Sequence, residues 1–215
     1  DPSKNVCDFA KKLGVKVKND FFNIETARDI QNDYGQAKVF LSANTLAHIP
    51  DINSVFEGVD LLLDKEGIFI TEDPYLLDVL EKVSYDQIYD EHVFIFSLTS
   101  IQKICSKYNL EVFDVEKLNS AGGSMRYFIS RKNSKTISKN VEECLKREKK
   151  IDLFAEKTFL NFKNKCENSK KLLFNLLKGL SREKKIVSYG ATSKTTTIFN
   201  YCEIDSSIIQ YITDT

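Results

Sequence analysis

The clearest pattern in the sequence spans residues 39–71, which read VFLSANTLAHIPDINSVFEGVDLLLDKEGIFIT. Residues 39–43 form an apolar run of the kind found in buried parallel strands. Residues 55–63 have the spacing of an amphipathic helix, and residues 67–71 are a second strand-like run. Strand, helix and strand in this rhythm predict parallel pairing, with helices on both faces of the sheet. The predicted fold class is therefore α/β.

The flanking segments continue the alternation of helix and strand. Residues 24–34 and 98–108 have helical spacing, and residues 15–17 are a short strand candidate. Two β-rich runs, residues 111–118 and 125–131, are joined by a glycine pair. These two runs predict an antiparallel hairpin at the sheet edge.

A turn to polar composition after the hairpin marks the predicted domain boundary. It separates a first domain, residues 1–133, from a second, residues 134–215. Residues 141–180 form a long charged amphipathic stretch, which predicts a packing helix or a pair of helices. A strand at residues 185–189 and a helix at residues 192–202 then open a second α/β unit.

Composition narrows the class of protein. Lys plus Arg and Asp plus Glu each number 31, so the formal net charge is zero and indicates no nucleic-acid partner. No apolar run approaches the roughly 20 residues of a membrane span, and no membrane partner is expected. The five cysteines are scattered without a CxxC motif. They predict free thiols in a reducing cytoplasm, with disulfide or metal use as the alternative.

Polar side chains follow several of the predicted strands. In open parallel sheets, ligands bind at the carboxyl ends of the strands, so these side chains are candidate ligand contacts. Asp20 and Phe21 follow the first candidate strand, and Asn44 and His48 follow the second. An acidic residue in such a position, for which Asp1 qualifies, commonly accepts hydrogen bonds from a cofactor ribose. The alternative is that these residues cap helices or face solvent in loops.

A second candidate site is the segment Ile88-Tyr89-Asp90-Glu91-His92. His48 and His92 are the two histidines of the chain. Histidine has an unperturbed pKa of about 6.5, which suits proton transfer near neutral pH. A neighbouring carboxylate can orient the ring, and a tyrosine can donate to a substrate oxygen. The alternative is that Glu91 and His92 are surface or core-edge residues.

The third candidate segment is Ser188-Tyr189-Gly190-Ala191-Thr192-Ser193-Lys194, a glycine turn followed by hydroxyls and a lysine. Free N–H groups and the helix dipole favour an anion at the start of a helix, so this segment is a candidate phosphate cradle. It lacks the GxGxxG pattern and the GxxxxGK pattern, so neither a dinucleotide fingerprint nor a P-loop is predicted. A simple helix cap by Thr192 or Ser193 is the alternative.

Taken in order, these segments resemble the sugar C-methyltransferases, which use S-adenosylmethionine (SAM) and act on nucleotide-linked 4-keto sugars. The resemblance covers nearly the whole chain. Residues 190–194, Gly-Ala-Thr-Ser-Lys, depart from the commoner Gly-Ala-Pro-Ala-Lys. The matching motifs are Asn44-Thr45-Leu46-Ala47-His48-Ile49-Pro50-Asp51, Tyr75-Leu76-Leu77-Asp78, Ile88-Tyr89-Asp90-Glu91-His92 with Phe96-Ser97-Leu98, Gly122-Gly123-Ser124-Met125-Arg126, and Tyr189-Gly190-Ala191 with Asn200-Tyr201-Cys202.

This family combines an N-terminal zinc-binding region, a central Rossmann-like SAM domain and a C-terminal α/β domain. The resemblance implies that the chain begins just after the first SAM strand and its glycine-rich loop, and that it stops early in the C-terminal domain. The expected fold is therefore an incomplete Rossmann-like methyltransferase sheet, followed by the start of a second α/β domain. Zinc is expected only in the N-terminal region of such enzymes, and no metal is expected on this chain.

The resemblance also implies roles for individual residues. His92 is the expected base, with Glu91 and Tyr89 in the same motif, and His48 is expected near the reacting sugar. The implied ligand contacts are Asp1 at the SAM ribose, Asp20 and Phe21 at the adenine, Asn44 in the cofactor pocket, and Tyr75, Arg126, Ser193 and Lys194 at the nucleotide sugar.

The implied function is methyl transfer from SAM to the carbon beside the ketone of a nucleotide-linked keto sugar, through an enolate. Two alternatives stay open: an O- or N-methyltransferase on a similar fold, and a noncatalytic module that binds a nucleotide sugar. An NAD(P)-dependent sugar-modifying enzyme is disfavoured because the glycine fingerprint is missing.

Overall fold

The computed structural model describes residues 1–215, with the side chain of Ala121 left out. Its main sheet has four strands in the order β1-β2-β4-β3. The strands are β1 (Ala37–Ala43), β2 (Leu63–Pro74), β3 (Leu110–Leu118) and β4 (Ser124–Arg131). β1 and β2 are parallel, whereas β4 runs antiparallel to both β2 and β3. The α/β class is confirmed, and so is the antiparallel hairpin with β3 at the sheet edge.

Eight α-helices connect and cover the strands of the described chain. Asn23 and Asp51 start two of them, because their side chains accept the N–H groups of Thr26 and Ser54 and so cap the helix ends. The helices are α1 (Lys4–Lys12), α2 (Ile24–Tyr34), α3 (Ile52–Leu62), α4 (Leu76–Lys82), α5 (Leu98–Cys105), α6 (Lys139–Lys150), α7 (Glu156–Leu180) and α8 (Ser193–Cys202).

Two strand predictions are corrected by the structure. Residues 15–17 pair with no other strand in the described chain. β1 forms and pairs as predicted, but it is not a buried strand, since Val39 is 54% exposed and Leu41 is 70% exposed. The reason is its position: β1 is the other edge of the four-stranded sheet, and a strand needs neighbours on both sides and layers on both faces to be fully buried.

The main hydrophobic core lies between the sheet and helices α3, α5 and α6. Helix α6 packs on β3 and α5, and it contributes Val141 and Cys144 to this core. The amino-acid composition therefore becomes polar at the predicted boundary after residue 133, but helix α6 still packs against the sheet, up to about residue 150. The division into residues 1–133 and 134–215 stays a prediction.

A second, smaller core lies at the C-terminal side. Strands β5 (Ser188–Tyr189) and β6 (Ile212–Thr213) are parallel and are connected through α8. The predicted second α/β unit is thus observed, although its first strand is shorter than expected. Its core combines α7 and the segment after α8, through Cys202, Ile204, Ile208 and Ile209 with Leu173, Phe174 and Leu177 packed against them.

The buried carboxylate of Asp78 on α4 pairs with a lysine of its own helix and with a lysine of the β3–β4 hairpin. Asp78 is fully buried, and its oxygens lie 3.0 Å from Nζ of Lys82 and 2.7 Å from Nζ of Lys117. Gly123 passes so close that a Cβ atom there would collide with Oδ2 of Asp78. Glycine is therefore needed at residue 123, both for this approach and for its φ of +130°.

No helix in the described part of the chain combines the length and the apolar character that a membrane crossing requires.

Candidate active site

Two short segments beyond the ends of β1 and β2 bring the two histidines together. His48 ends a 3-10 turn, Leu46–His48, directly after β1. His92 lies in the loop that follows a second 3-10 turn, Tyr85–Gln87. The two imidazole centroids lie 4.9 Å apart, and Nδ1 of His48 lies 2.9 Å from the carbonyl oxygen of Glu91. The sequence predicted the residues of this cluster, and the structure places them at one site.

The hydrogen bonds of His92 define which ring nitrogen is basic. Its Nδ1 lies 2.7 Å from the carbonyl oxygen of Gln87, and its Nε2 lies 2.9 Å from the hydroxyl of Tyr89. A carbonyl oxygen can only accept, so the neutral ring carries its proton on Nδ1. The Nε2 lone pair then accepts the Tyr89 hydroxyl. His92 is therefore oriented as a neutral imidazole with its basic nitrogen directed at a proton donor.

The surroundings of His92 favour that neutral form. Burial lowers the pKa of His92, and the nearby charges of His48 and Lys194 lower it further. The carbonyl of Gln87 and the carboxylate of Glu91 act in the opposite direction, and the net shift of the pKa is downward. Since a base must be deprotonated to accept a proton, this environment prepares His92 for that role near neutral pH.

Tyr89 and Glu91 contribute in different ways. The aromatic ring of Tyr89 packs against the imidazole of His92 with centroids 4.1 Å apart, and burial raises the pKa of its hydroxyl. Glu91 acts on the cluster through its backbone carbonyl, which contacts His48, while its side chain is exposed. Its negative charge raises the pKa of Tyr89. The phenol is consequently a proton donor across the neutral range.

A backbone carbonyl also orients the imidazole ring of His48. A carbonyl accepts at its Nδ1, so the neutral ring has its lone pair on Nε2. Among the residues that the structure describes, no hydrogen bond to Nε2 of His48 is present. The lone pair of His48 is therefore available to a ligand.

One further residue lies at this site, in the polar segment Glu72-Asp73-Pro74-Tyr75 after a predicted strand, and no individual role was predicted for it. Asp73, near the end of β2, is 0% exposed. Its Oδ1 accepts the N–H of Ala47 at 3.1 Å, and its Oδ2 accepts the hydroxyl of Thr71 at 2.9 Å. Burial raises the pKa of Asp73 to about 6. Its position after an apolar strand was the available signal, but Glu72 at the same strand end gave an equal signal.

Helix α8 brings Lys194 from the second unit toward the histidines. Its ammonium charge is one of the groups that lower the pKa of His92. Helix α8 starts with a cap by Thr192, which was the predicted alternative to a phosphate cradle. Oγ1 of Thr192 accepts the N–H of Thr195 at 3.3 Å. Ser193, the first residue of α8, is exposed. The cap uses one of the free N–H groups of the helix start and leaves Ser193 and Lys194 beside the site.

The residues expected at SAM lie on the other side of the β1 end. The chain's amino group donates to the carbonyl of Lys18 at 3.1 Å, which places Asp1 beside the segment that leads to Asp20 and Phe21. Phe21 is 68% exposed, and Asn44 adopts a left-handed backbone with a φ of 50° directly after β1. A cavity of about 510 Å³ lies here, lined by Phe21, Phe22, Asn23, Ile24, Glu25, Ile49, Pro50, Asp51 and Ser54.

This cavity fits one part of SAM on chemical grounds. A nucleoside needs apolar or aromatic walls for its base and a few polar groups at the edge, and ligand pockets of 300–1,000 Å³ are usual for such molecules. Phe21, Ile49 and Pro50 supply the walls, and Asn23 and Asp51 supply polar groups. Both Asn23 and Asp51 already cap helices, which leaves the exposed carboxylate of Glu25 in the cavity wall. Asp1 and Asp20, the carboxylates predicted at the ribose, are exposed and lie outside this lining.

Tyr75 and Arg126, two of the predicted sugar contacts, are bonded to carboxylates of the protein itself. Tyr75 is 1% exposed, and its hydroxyl donates to Oε1 of Glu148 at 2.9 Å in the main core. Burial raises the pKa of Tyr75, so it stays protonated. Arg126 pairs with Glu72 at 3.0 Å and with Glu116 at 2.8 Å. The described contacts thus give Tyr75 a structural place in the core.

Among the side chains that the structure describes, no group of three or more His, Cys, Asp or Glu is arranged to hold a metal ion.

Comparison with known proteins adds two sequence matches. Residues 119–215 match the model of the C-methyltransferase C-terminal domain. The whole chain is 30% identical over 217 aligned residues to the C-methyltransferase NovU of Streptomyces niveus, and it spans 52% of that protein's length.

Solved structures show a partial likeness in the backbone. A SAM-dependent methyltransferase from Anabaena variabilis is 18% identical, with 61% of this chain and 66% of that chain covered at a TM-score of 0.44. A SAM-dependent methyltransferase from Clostridium acetobutylicum is 13% identical, with 62% and 74% covered at a TM-score of 0.43. The two sequence matches agree with the motifs read from the sequence: the chain is similar to a C-methyltransferase over its whole length and to the C-methyltransferase C-terminal domain over residues 119–215.

Proposed function

We propose that this chain is part of a C-methyltransferase that moves a methyl group from SAM to the carbon beside the ketone of a nucleotide-linked keto sugar. The observation that supports this most directly is the pair His92 and Tyr89. It combines a base whose Nε2 accepts the hydroxyl of Tyr89 with a phenol that stays protonated, and the two atoms lie 2.9 Å apart. Carbon methylation next to a ketone needs both of these functions.

The first function is proton removal. A hydrogen on the carbon beside a ketone is acidic because the resulting anion delocalises onto the carbonyl oxygen. In the proposed reaction, Nε2 of His92 takes this proton, and the Gln87 carbonyl at 2.7 Å keeps the ring oriented while it becomes an imidazolium. A positioned general base typically contributes about 10²–10⁴-fold in rate.

The second function is stabilisation of the oxyanion. The Tyr89 hydroxyl donates to His92 in the structure, and we propose that it turns to the sugar oxygen when the ketone is bound. That change frees Nε2 for the carbon acid and places a donor at the atom where negative charge develops. One phenol thus protects the base before binding and stabilises the enolate afterwards.

The methyl donor is expected on the other side of the β1 end. We propose that Asp1, Asp20, Phe21 and Asn44 hold SAM there, with Phe21 against the adenine and the carboxylates at the ribose. SAM supplies an electrophilic methyl group when it is bound. The chain's own contribution is the aromatic and apolar wall that shields this part of the site from water.

The sugar nucleotide is expected between the histidines and α8. A nucleoside diphosphate is anionic, and Lys194, Ser193 and the start of α8 offer a cation, a hydroxyl and helix N–H groups to such a ligand. Arg126 remains a candidate contact at the mouth of the sheet. In this proposal residues 1–133 bind SAM, and residues 134–215 begin the part that binds the nucleotide.

The test is direct product analysis with the protein at its natural length. We expect that SAM with a ¹³C-methyl group and a panel of nucleoside-diphosphate-linked 4-keto deoxysugars gives a product with the label bonded to a ring carbon. His92→Asn should lower turnover about 10²–10⁴-fold and leave SAM affinity unchanged. A label on oxygen or nitrogen would favour the other methyltransferases, and nucleotide binding without a SAM site would favour a noncatalytic module.

A further inference from the structure

We infer that Asp73 is a positioning residue for His48, because it fixes the turn that carries this histidine and places a negative charge near its imidazole. The inference rests on the proposed function in one respect only, namely that His48 borders the reacting sugar. It assigns a task to a buried carboxylate that the chemistry of His92 and Tyr89 does not use.

Asp73 holds the backbone of Ala47, the middle residue of the turn Leu46–His48. Its N–H donates to Oδ1 of Asp73 at 3.1 Å, and its carbonyl accepts the N–H of Phe94 at 3.2 Å. Ala47 is fully buried between these two contacts. His48 is the next residue, so its backbone is held by β2 on one side and by the segment after His92 on the other. The two histidines therefore share one framework.

The carboxylate itself is rigidly placed. Asp73 is buried on β2, and its second oxygen accepts the Thr71 hydroxyl from the same strand at 2.9 Å. Both of its oxygens thus have a donor, and neither is free to rotate toward solvent. The rigidity of β2 is transmitted through Asp73 to the turn at residues 46–48.

The titratable groups whose charges interact with Asp73 come from the turn after β1 and from two strands. These are His48 from the turn, Glu72 from the same strand and Tyr127 from the neighbouring strand β4. Burial raises the pKa of Asp73, while the Ala47 N–H, the Thr71 hydroxyl and the charge of His48 lower it. The carboxylate of Asp73 and the imidazole of His48 are therefore close enough for their charges to interact.

This charge distinguishes a functional role from simple packing. An asparagine amide oxygen could accept the Ala47 N–H equally well, and it would avoid burying an ionisable group. Only the carboxylate adds a negative charge beside the imidazole of His48. A buried acid with a displaced pKa beside a histidine is typical of functional sites.

The test uses the fact that the chain has two histidines. Histidine ring signals in ¹H–¹³C spectra, assigned with His48→Asn and His92→Asn, are followed from pH 4 to 9. In Asp73→Asn we expect the His48 ring signals to differ from those of the wild type at pH 8, where the wild-type carboxylate is ionised, and to differ less at pH 4, with a smaller effect at His92. The matched control is Asp64→Asn, which removes a carboxylate from the opposite end of β2 and should leave the ring signals of both histidines unchanged.

Wild-type protein provides a second measurement, which needs no variant of Asp73. The Ala47 amide donates directly to this carboxylate, so its proton shift should follow the ionisation of Asp73 with a step near pH 6. Asp73→Asn should abolish the step. The inference is overturned if the Ala47 amide shows no step, or if the His48 ring signals of a folded Asp73→Asn variant match those of the wild type at pH 8.

Kinetics separate this inference from the proposed function. If methyl transfer to a keto sugar is found, we expect Asp73→Asn to lower kcat about tenfold or more with little change in KM. If no methyl transfer occurs with any keto sugar but the His48 ring signals change as described, the proposed function fails while the task of Asp73 stands. If transfer occurs and the His48 ring signals do not change, the inference about Asp73 fails alone.

Discussion

The hydroxyl of Tyr89 lies 2.9 Å from Nε2 of His92, the nitrogen that the Gln87 carbonyl leaves unprotonated. This relationship makes Tyr89 the partner of the base before any substrate is present. Removing the hydroxyl should therefore affect catalysis more than folding. Tyr89→Phe is expected to lower kcat about 10²-fold, the usual cost of losing one donor at a developing oxyanion.

A matched tyrosine provides the control for that variant. Tyr108 donates to Oδ1 of Asn53 at 3.0 Å on another part of the surface, and Tyr108→Phe should leave kcat unchanged. Equal kcat values for Tyr89→Phe and the wild type would exclude the Tyr89 hydroxyl from the reaction.

The second prediction concerns pH. Burial and the charges of His48 and Lys194 lower the pKa of His92, and only the neutral ring can accept a proton. The ratio kcat/KM should therefore rise with pH, with its acid limb below the ordinary histidine value of about 6.5. Lys194→Met removes one of the positive charges and should move the His92 titration to higher pH. An unchanged His92 titration in that variant would contradict the placement of Lys194 beside this ring.

The third prediction concerns stability and Asp73. Its pKa is raised to about 6 in the folded protein from an ordinary value of 3.8, so the folded state binds this proton more tightly than the unfolded state. The stabilising contribution is complete below pH 3.8 and is lost as the pH rises through 6. A displacement of this size corresponds to about 3 kcal/mol.

Asp73→Asn removes this pH-dependent loss. The measured quantity is the free energy of unfolding of Asp73→Asn in urea minus that of the wild type. This difference should increase by up to about 3 kcal/mol between pH 4 and pH 8. Asp64→Asn should show no comparable trend. A difference between Asp73→Asn and wild type that stays constant across this pH range would mean that Asp73 ionises as easily in the folded as in the unfolded protein.

The fourth prediction separates a structural from a ligand-binding role for Tyr75. Its hydroxyl is buried and donates to Glu148, whose carboxylate also accepts the N–H groups of Leu98 and Thr99 at the start of α5. Tyr75→Phe should lower the free energy of unfolding by about 1 kcal/mol, the usual net contribution of one hydrogen bond. KM for the nucleotide sugar should not change. A large increase in KM with unchanged stability would return Tyr75 to the substrate site.

The sequence predicted most of the secondary structure because the amphipathic patterns were long. Helix α2 occupies the predicted residues, and the β3–β4 hairpin follows from its alternating runs and glycine pair. Helix α4 was not predicted, since its seven residues are too few for a clear helical period and four of them are buried. The burial of β1 was predicted wrongly because an apolar run gives strand type and says nothing about its neighbours.

The site was predictable in its residues more than in its contacts. Motif resemblance selected His48, Tyr89 and His92, and these three lie together. Which nitrogen of each ring is basic depends on the carbonyls of Gln87 and Glu91, and backbone carbonyls leave no mark on a sequence. Asp73 was missed for the same reason, because its partner is a backbone N–H at residue 47.

The account depends above all on proton removal by His92, and hydrogen exchange at the sugar measures this step apart from methyl transfer. The protein at its natural length would be incubated in D₂O with a nucleoside-diphosphate-linked 4-keto deoxysugar and S-adenosylhomocysteine, which has no methyl to give. We predict that the wild type incorporates deuterium at the carbon beside the ketone and that His92→Asn does so at least about 10²-fold more slowly. Exchange at the wild-type rate in His92→Asn would contradict the assignment of this imidazole as the base.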